Sequence, residues 1–284
     1  MICIIKTWKS KDETRKYRFK TSKGELFDAA VVFFTDADNA PVNICISSQI
    51  GCNSGCLFCA SGNKDFKRNL TSEEIVEQID CIFKEDGSLS NSKYEITYMG
   101  SGEPFDNFNA VIASIQHIQN YQNLSRINFS TSIPSTKIDY SLFFGISKKI
   151  HFQYSLNFVD DESRSKYLQN LTLPSIDESL AFLHNMAHSI NDYPCISYIL
   201  FDGINDSIEK AKILCDYAKK VNAYLKICEY VPIPNSACKD LRPSKNKELF
   251  CYEIKKQNVI HKEFKSKGID IYAACGHFLS DVVL

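Results

Sequence analysis

Residues 43–62 read NICISSQIGCNSGCLFCASG and place four thiols, Cys45, Cys52, Cys56 and Cys59, within fifteen positions. The first six residues alternate apolar and polar side chains, the period of a half-buried strand. Cys52, Cys56 and Cys59 follow it with the spacing Cys-x3-Cys-x2-Cys. Spacers of two or three residues let one short loop turn three thiolates inward. Gly51, Asn53, Ser54 and Gly55 supply the turn freedom this needs. Thiolates select zinc or iron–sulfur clusters. A four-iron cluster normally takes four cysteines, so three leave one iron open to an exogenous ligand. A structural zinc site would recruit Cys45 as a fourth ligand. Zinc ligands usually come as two short pairs, whereas Cys45 lies seven residues before Cys52 inside the expected strand. The spacing therefore fits the three-cysteine cluster better.

Working outward, strand-like and helix-like runs alternate. Thr71 and Glu74 form a capping box, and Ile75, Ile79, Ile82 and Phe83 then share one helical face. Strands are expected at 94–100, 126–131, 150–155, 195–201 and 223–231, and helices at 107–120 and 176–189. Asp206 is expected to cap a helix whose buried face carries Ile208, Ala211, Leu214, Cys215 and Ala218. That face makes Cys215 a core residue. A basic helix over 245–267 and a short strand over 269–273 complete the expectation. Six βα alternations predict a parallel sheet covered by helices. If the sheet curves, it forms an incomplete barrel with its chemistry at the C-terminal strand ends.

The 284 residues suffice for one large α/β domain, and 44% hydrophobic with 24% charged residues is ordinary for a soluble protein. No apolar run approaches a membrane span, and the start does not resemble a signal peptide. The twelve cysteines are unevenly spaced and do not form a disulfide framework of a small secreted domain. A cytoplasmic location is expected. The net charge of −1 conceals an asymmetry: residues 6–23 carry +6 and the remainder −7. Trp8, Tyr17 and Phe19 are interleaved with those cations. The segment suits a nucleic-acid contact through phosphates and base stacking. It equally suits a solvated edge hairpin whose lysines discourage aggregation.

Cys-x3-Cys-x2-Cys with Phe58 before the last cysteine resembles the radical S-adenosylmethionine (SAM) superfamily. CISSQIGCNSGCLFCASG, YMGSGEPFDN (98–107), FSTSIP (129–134), YSLN (154–157), YILFDGINDSIEKAKIL (198–214) and IDIYAACGHF (269–278) narrow the resemblance. In that order they resemble the RlmN/Cfr family of RNA adenine methyltransferases, over roughly residues 27–284. The resemblance implies an incomplete (βα)6 TIM-like barrel of the radical SAM type, with a small N-terminal β extension. The expected partition is a basic extension over 1–40 and a core over 41–284 that carries the Cys275 loop. It implies a [4Fe-4S] cluster on Cys52, Cys56 and Cys59, and SAM contacts from Gly102, Glu103, Ser130, Ser155, Asn157 and Phe58. Gly100 and Gly102 would let backbone approach the ligand, and Glu103 would accept a hydrogen bond from its ammonium.

By the same resemblance, Cys275 is methylated by a first SAM, and a radical from a second SAM removes hydrogen from the S-methyl group. The carbon radical adds to adenine, and Cys45 resolves the crosslink by forming a disulfide with Cys275. The chemical motive is that adenine carbons 2 and 8 are not nucleophilic, whereas a thiolate attacks SAM readily. The implied partners are rRNA or tRNA and an electron donor such as flavodoxin or ferredoxin, with the protein a monomer. Departures occur at Val231 (Asn in the family), Asn157 (His) and His277 (Gln). Family members also carry an accessory N-terminal domain, where only about forty residues precede Cys45 here. The basic segment 6–23 and Lys245, Lys247, Lys255, Lys256, Lys262, Lys265 and Lys267 are candidate replacements. A carboxylate base maps loosely onto Asp28, which otherwise reads as a solvated strand-edge acid. Two further readings remain open: the same machinery on a free nucleotide, other small molecule or protein, and a zinc-stabilised RNA-binding module.

Overall fold

The computed structural model describes residues 1–284 except 35–39, 63–65, 136, 144–145, 147–148, 170–172, 234–237 and 279–284. Three antiparallel strands come first: β1 (Ile2–Lys9), β2 (Arg15–Thr21) and β3 (Leu26–Val32). β3 pairs antiparallel with β4 (Val42–Ile46), the strand that opens the sequence stretch with the four thiols. β5 (Gln49–Ile50) and β6 (Arg68–Asn69) form a separate small ladder. The main sheet continues through β7 (Tyr94–Tyr98), β8 (Leu124–Thr131), β9 (Ile150–Ser155), β10 (Cys195–Leu200), β11 (Tyr224–Glu229) and β12 (His261–Phe264). From β4 to β12 every neighbour in this sheet is parallel. The strand order is sequential and β1 and β12 are the two ends, so the barrel is open.

Helices cover the outside. α1 (Ser72–Glu85) starts at the expected capping box of Thr71 and Glu74, and Ile75, Ile79 and Ile82 are buried. α2 (Gly87–Asn91), α3 (Phe108–Ile118), α4 (Asp161–Tyr167), α5 (Ile176–Ser189), α6 (Ile208–Lys220) and α7 (Lys247–Lys256) follow. Among the described residues, the β8–β9 crossover has only a 3-10 turn at Tyr140–Phe143. Strand parity sorts the two faces of the sheet. Ile44, Ile96, Ile127, Phe152, Ile196 and Leu225 pack outward into the main core beneath the helices. The alternate positions Asn43, Glu95, Asn128, Gln153, Ser197 and Lys226 face a cavity inside the barrel.

Four expectations are corrected. Asp206 does not cap α6: Ser207 does, accepting from the Lys210 N–H, while Asp206 binds the Gly203 N–H and the Ser244 hydroxyl. Ile208 is exposed, unlike the rest of that face, and Cys215 is core as expected. The helix expected over 245–267 stops at Lys256, because Asn258 turns left-handed (φ 56°) and residues 261–264 become β12. The strand expected over 269–273 is a tight 3-10 turn, Ile269–Ile271, flanked by left-handed Gly268 and Tyr272.

The basic hairpin is also less available than its composition suggests. Tyr17 and Phe19 are fully buried and Trp8 nearly so, which removes them as stacking platforms for bases. Asp28 is not a solvated acid. It is fully buried, with Lys16 Nζ at 3.1 Å and Arg18 Nε at 2.8 Å. The exposed cations of the segment are Lys6, Lys9, Lys11, Lys20 and Lys23. Among the described residues no helix is long and apolar enough to cross a membrane.

Candidate active site

A cavity of about 530 Å³ occupies the barrel interior, lined by the inward strand positions and the loops at the C-terminal strand ends. Its upper wall is the loop carrying Cys52, Cys56 and Cys59, all three of which line it. That loop is tied down by backbone bonds: Leu57 N–H to Tyr167 O (3.0 Å), Cys59 N–H to Cys56 O (3.1 Å) and Ala60 N–H to Gly276 O (2.7 Å). Burial pushes the Cys52 thiol up to about 12, with the Cys59 thiol adding to it. Burial raises Cys56 well above its ordinary value, reinforced by Cys52 and Cys59. Desolvated thiols that raise one another in this way are neutral on their own, and a bound metal centre would supply the positive charge that deprotonates them. Cys45 stands apart. It packs beside Trp8, Ala30, Ile271, Ala273 and Phe278, which does not fit the fourth position of a zinc site on this loop.

The Gly-Glu-Pro loop follows β7, as expected, and its glycines also permit a close approach to a neighbouring strand. A Cβ on Gly100 would meet Ile46 O at 2.6 Å, and one on Gly102 (φ 114°) would meet Ser48 Oγ at 2.5 Å. Both allow the end of β7 to press against the end of β4, and both line the cavity. Glu103 is buried, and its carboxylate accepts four hydrogen bonds. These come from Phe105 N–H (3.1 Å), Thr131 Oγ1 (2.5 Å), Ser132 N–H (2.9 Å) and Ser132 Oγ (2.8 Å). Four acceptor sites are what a carboxylate offers. An ammonium reaches it only when a hydroxyl gives way. Glu103 thus locks the β8 end against the Gly-Glu-Pro loop.

Ser130, at that β8 end, is different. Its hydroxyl is buried, has no hydrogen-bond partner and belongs to the cavity wall. An orphaned polar atom there calls for a polar ligand group. Ser155, at the end of β9, lines the same wall. Asn157 (φ 58°) accepts from Ile199 N–H at 3.1 Å through Oδ1 and so braces β10. Phe58 packs 5.5 Å from Phe201 and 6.3 Å from Phe158, an apolar rest for the cluster loop. Convergent thiols, the orphaned Ser130 hydroxyl and the apolar wall fit a [4Fe-4S] cluster with SAM beside it.

Cys275 projects into the cavity on an exposed turn, its Sγ 3.5 Å from Met99 Sδ. The surrounding wall still desolvates its thiolate and, with Cys228 adding to this, pushes it up to about 12. Cys45 lines the same cavity and is raised to about 12, by burial and then by Cys275. Cys45 and Cys275 are both free thiols, so the expected disulfide is not formed in this state. The two departures Val231 and His277 touch each other. His277 Nε2–H donates to Val231 O at 3.1 Å, and burial holds the ring neutral by lowering its pKa. A backbone carbonyl makes this bond, so the side chain at 231 is not what the contact needs.

Three residues of the site escaped the sequence reading: Met99, Lys226 and Cys228. Lys226 Nζ lies in the cavity, donating to Gln153 Oε1 at 3.3 Å, and its charge favours the thiolates of Cys45, Cys228 and Cys275. In AYLKICEYV the polar parity Tyr224, Lys226, Cys228 against Leu225 and Ile227 marks the inward face.

An open parallel barrel with three loop thiolates at its mouth defines a radical SAM enzyme. Residues 46–213 match the Radical SAM superfamily, whose members use a [4Fe-4S] cluster and SAM. The chain is 30% identical over 283 residues to the dual-specificity RNA methyltransferase RlmN of Sulfurovum sp. strain NBC37-1, covering 94% of this chain and 77% of that one. It is 31% identical over 277 residues to the probable dual-specificity RNA methyltransferase RlmN of Acholeplasma laidlawii strain PG-8A, covering 95% and 78%. A radical SAM methyltransferase of Sphaerobacter thermophilus superposes with a TM-score of 0.87 at 26% identity, covering 99% and 82%. The chain belongs to the RlmN family of radical SAM methyltransferases. That membership removes the reading as a non-catalytic zinc module.

Proposed function

We propose that this enzyme methylates an adenine ring carbon, position 2 in preference to 8, in rRNA or tRNA through an S-methylcysteine at Cys275. The observation that carries this reading is the position of Cys275. It is a cavity-lining thiol outside the cluster loop, tied to that loop by the Ala60–Gly276 bond, with Cys45 lining the same cavity. The names of the relatives, dual-specificity RNA methyltransferases, supply the substrate class.

When bound, the cluster and SAM supply an electron and a radical able to abstract hydrogen. The chain's own residues do the rest. Cys52, Cys56 and Cys59 would hold the cluster through their thiolates. Ser130 and Ser155 offer hydroxyls to the polar end of SAM, and Glu103 and Gly102 fix the loop against which it lies. Asn157 and Phe58 set the backbone and the apolar wall. The Cys275 thiolate accepts a methyl group, with Lys226 favouring the charged form. The Cys45 thiolate would then attack Cys275 Sγ: the sulfur–sulfur bond forms as the sulfur–carbon bond to the product breaks, and the released carbon keeps the electron pair and takes up a proton. A one-electron donor of the flavodoxin or ferredoxin class completes the set. The partition into a basic extension over 1–40 and a core over 41–284 is part of this proposal. The change from antiparallel to parallel pairing at β4 supports it.

Mass spectrometry of cellular RNA with and without the gene tests the reading: a methyladenosine is expected to disappear from one RNA class. A Cys275→Ala enzyme that still methylates RNA at the wild-type rate refutes the route. Turnover of a free adenine nucleotide without RNA refutes the substrate class.

A further inference from the structure

The turn carrying Cys275 is gripped from two sides. On one side Ala273 and Phe278 pack into the small cluster that includes Cys45 and Ala30 of β3. On the other, His277 is bonded to Val231 O, three residues beyond Cys228 on the same chain segment. The open barrel thus brings β4 and β11, far apart in sheet order, to opposite flanks of one thiol. Cys228 shares the inward face of β11 with Tyr224 and Lys226 and lines the same cavity as Cys45 and Cys275. Its sulfur makes only long contacts, to Ser197 Oγ at 3.8 Å and Lys226 O at 3.9 Å.

We propose that Cys228 is a third redox thiol of this site, exchanging into the disulfide that Cys45 forms with Cys275. The inference rests on the redox pairing of Cys45 and Cys275 proposed above. In the exchange, the Cys228 thiolate attacks Cys275 Sγ. The Cys228–Cys275 bond forms as the Cys45–Cys275 bond breaks. Cys45 leaves as a thiolate and takes up the proton that Cys228 released. One disulfide is consumed and one is made, so no outside oxidant is needed. Lys226 lines the same cavity, and its charge favours the thiolate form of each of the three. The consequence is that Cys45 is regenerated before Cys275 is reduced.

The test is disulfide mapping in cluster-loaded protein, with no RNA present. The protein is oxidised anaerobically with diamide, which takes up two electrons and two protons per disulfide. It is then alkylated, digested and analysed by mass spectrometry. Wild type is expected to give both Cys45–Cys275 and Cys228–Cys275 peptides. Cys45→Ala should keep the Cys228–Cys275 link at no less than its wild-type yield. Cys228→Ser should lose that link and keep Cys45–Cys275, which also reports an intact fold. If wild type forms Cys45–Cys275 while Cys275 is fully alkylated in Cys45→Ala, the Cys228 inference fails and the redox pair stands. If wild type forms no link to Cys275, both fail.

Discussion

Asp28→Asn separates two roles for one residue. If Asp28 were a catalytic base, the isosteric amide would abolish turnover and leave the fold alone. The structure gives it a different task. Its carboxylate takes a two-pronged contact from Arg18, Nε at 2.8 Å and Nη2 at 3.1 Å, and the Lys16 ammonium at 3.1 Å. Lys16 and Asp28 have no solvent exposure. Removing one partner of a buried ion pair costs about 3–5 kcal/mol, because the other charge is left uncompensated. An unfolding entropy of about 2.1 cal/mol/K per residue gives roughly 0.6 kcal/mol per kelvin for 284 residues. The melting temperature should therefore fall by about 5–8 °C. Lys16 also donates to Tyr272 O at 3.0 Å, three residues before Cys275. Any loss of activity should thus track loosening of the Cys275 turn. Differential scanning fluorimetry and S-methylation of Cys275, followed by intact mass, measure the two effects together. A melting point within about 1 °C of wild type with activity abolished would refute the structural role and restore Asp28 as a base.

Four further outcomes are expected. Ser130→Ala should weaken SAM binding about 10- to 100-fold, the worth of a hydrogen bond to a charged group, with stability unchanged or slightly raised; equilibrium dialysis reads it. Cys52→Ala should drop iron from about four atoms per chain to below about one, with loss of the visible cluster absorbance. The Cys275 thiol is neutral at pH 7 because its pKa is raised to about 12. Its thiolate fraction, and so the rate of S-methylation, should rise about tenfold per pH unit between pH 7 and 9. A flat profile would mean that another group removes the proton. His277→Ala should cost about 1–2 kcal/mol and lower S-methyl occupancy, whereas His277→Gln, which keeps a donor for Val231 O, should restore it.

Local signals carried much of this architecture. The Thr71–Glu74 box, the alternation of 43–48 and the span 176–189 needed only residues near in sequence, and each stands where its pattern placed it. The cluster loop was legible because short spacing is itself geometry. What depended on distant contacts was not. The charge on Asp28 is neutralised by cations ten and twelve residues earlier, so no local window distinguishes it from a surface acid. The end of α7 turned on Asn258 adopting a left-handed conformation, which an otherwise continuous run of charges concealed. Glu103 matched a ligand-binding motif, yet three of its four acceptor positions are filled by Thr131 and Ser132, some thirty residues onward, and the fourth by the Phe105 N–H. The polar parity of the inward strand positions was visible throughout. It becomes a site only once curvature turns that face into an interior.

The chain has one tryptophan, Trp8, and it sits where the first strand meets the residues on either side of Cys275. Its indole Nε1 is buried without a hydrogen-bond partner. Lys6, Lys16 and Arg18 lie over its ring at 4.8, 5.5 and 5.4 Å. Three cations around the ring make its emission wavelength sensitive to any shift of the charges or of Phe278, which packs in the same cluster. The enzyme thus carries a built-in optical reporter at the seat of its reactive arm. Its fluorescence reads the packing around the Cys275 turn without a label, on the same sample that is turning over.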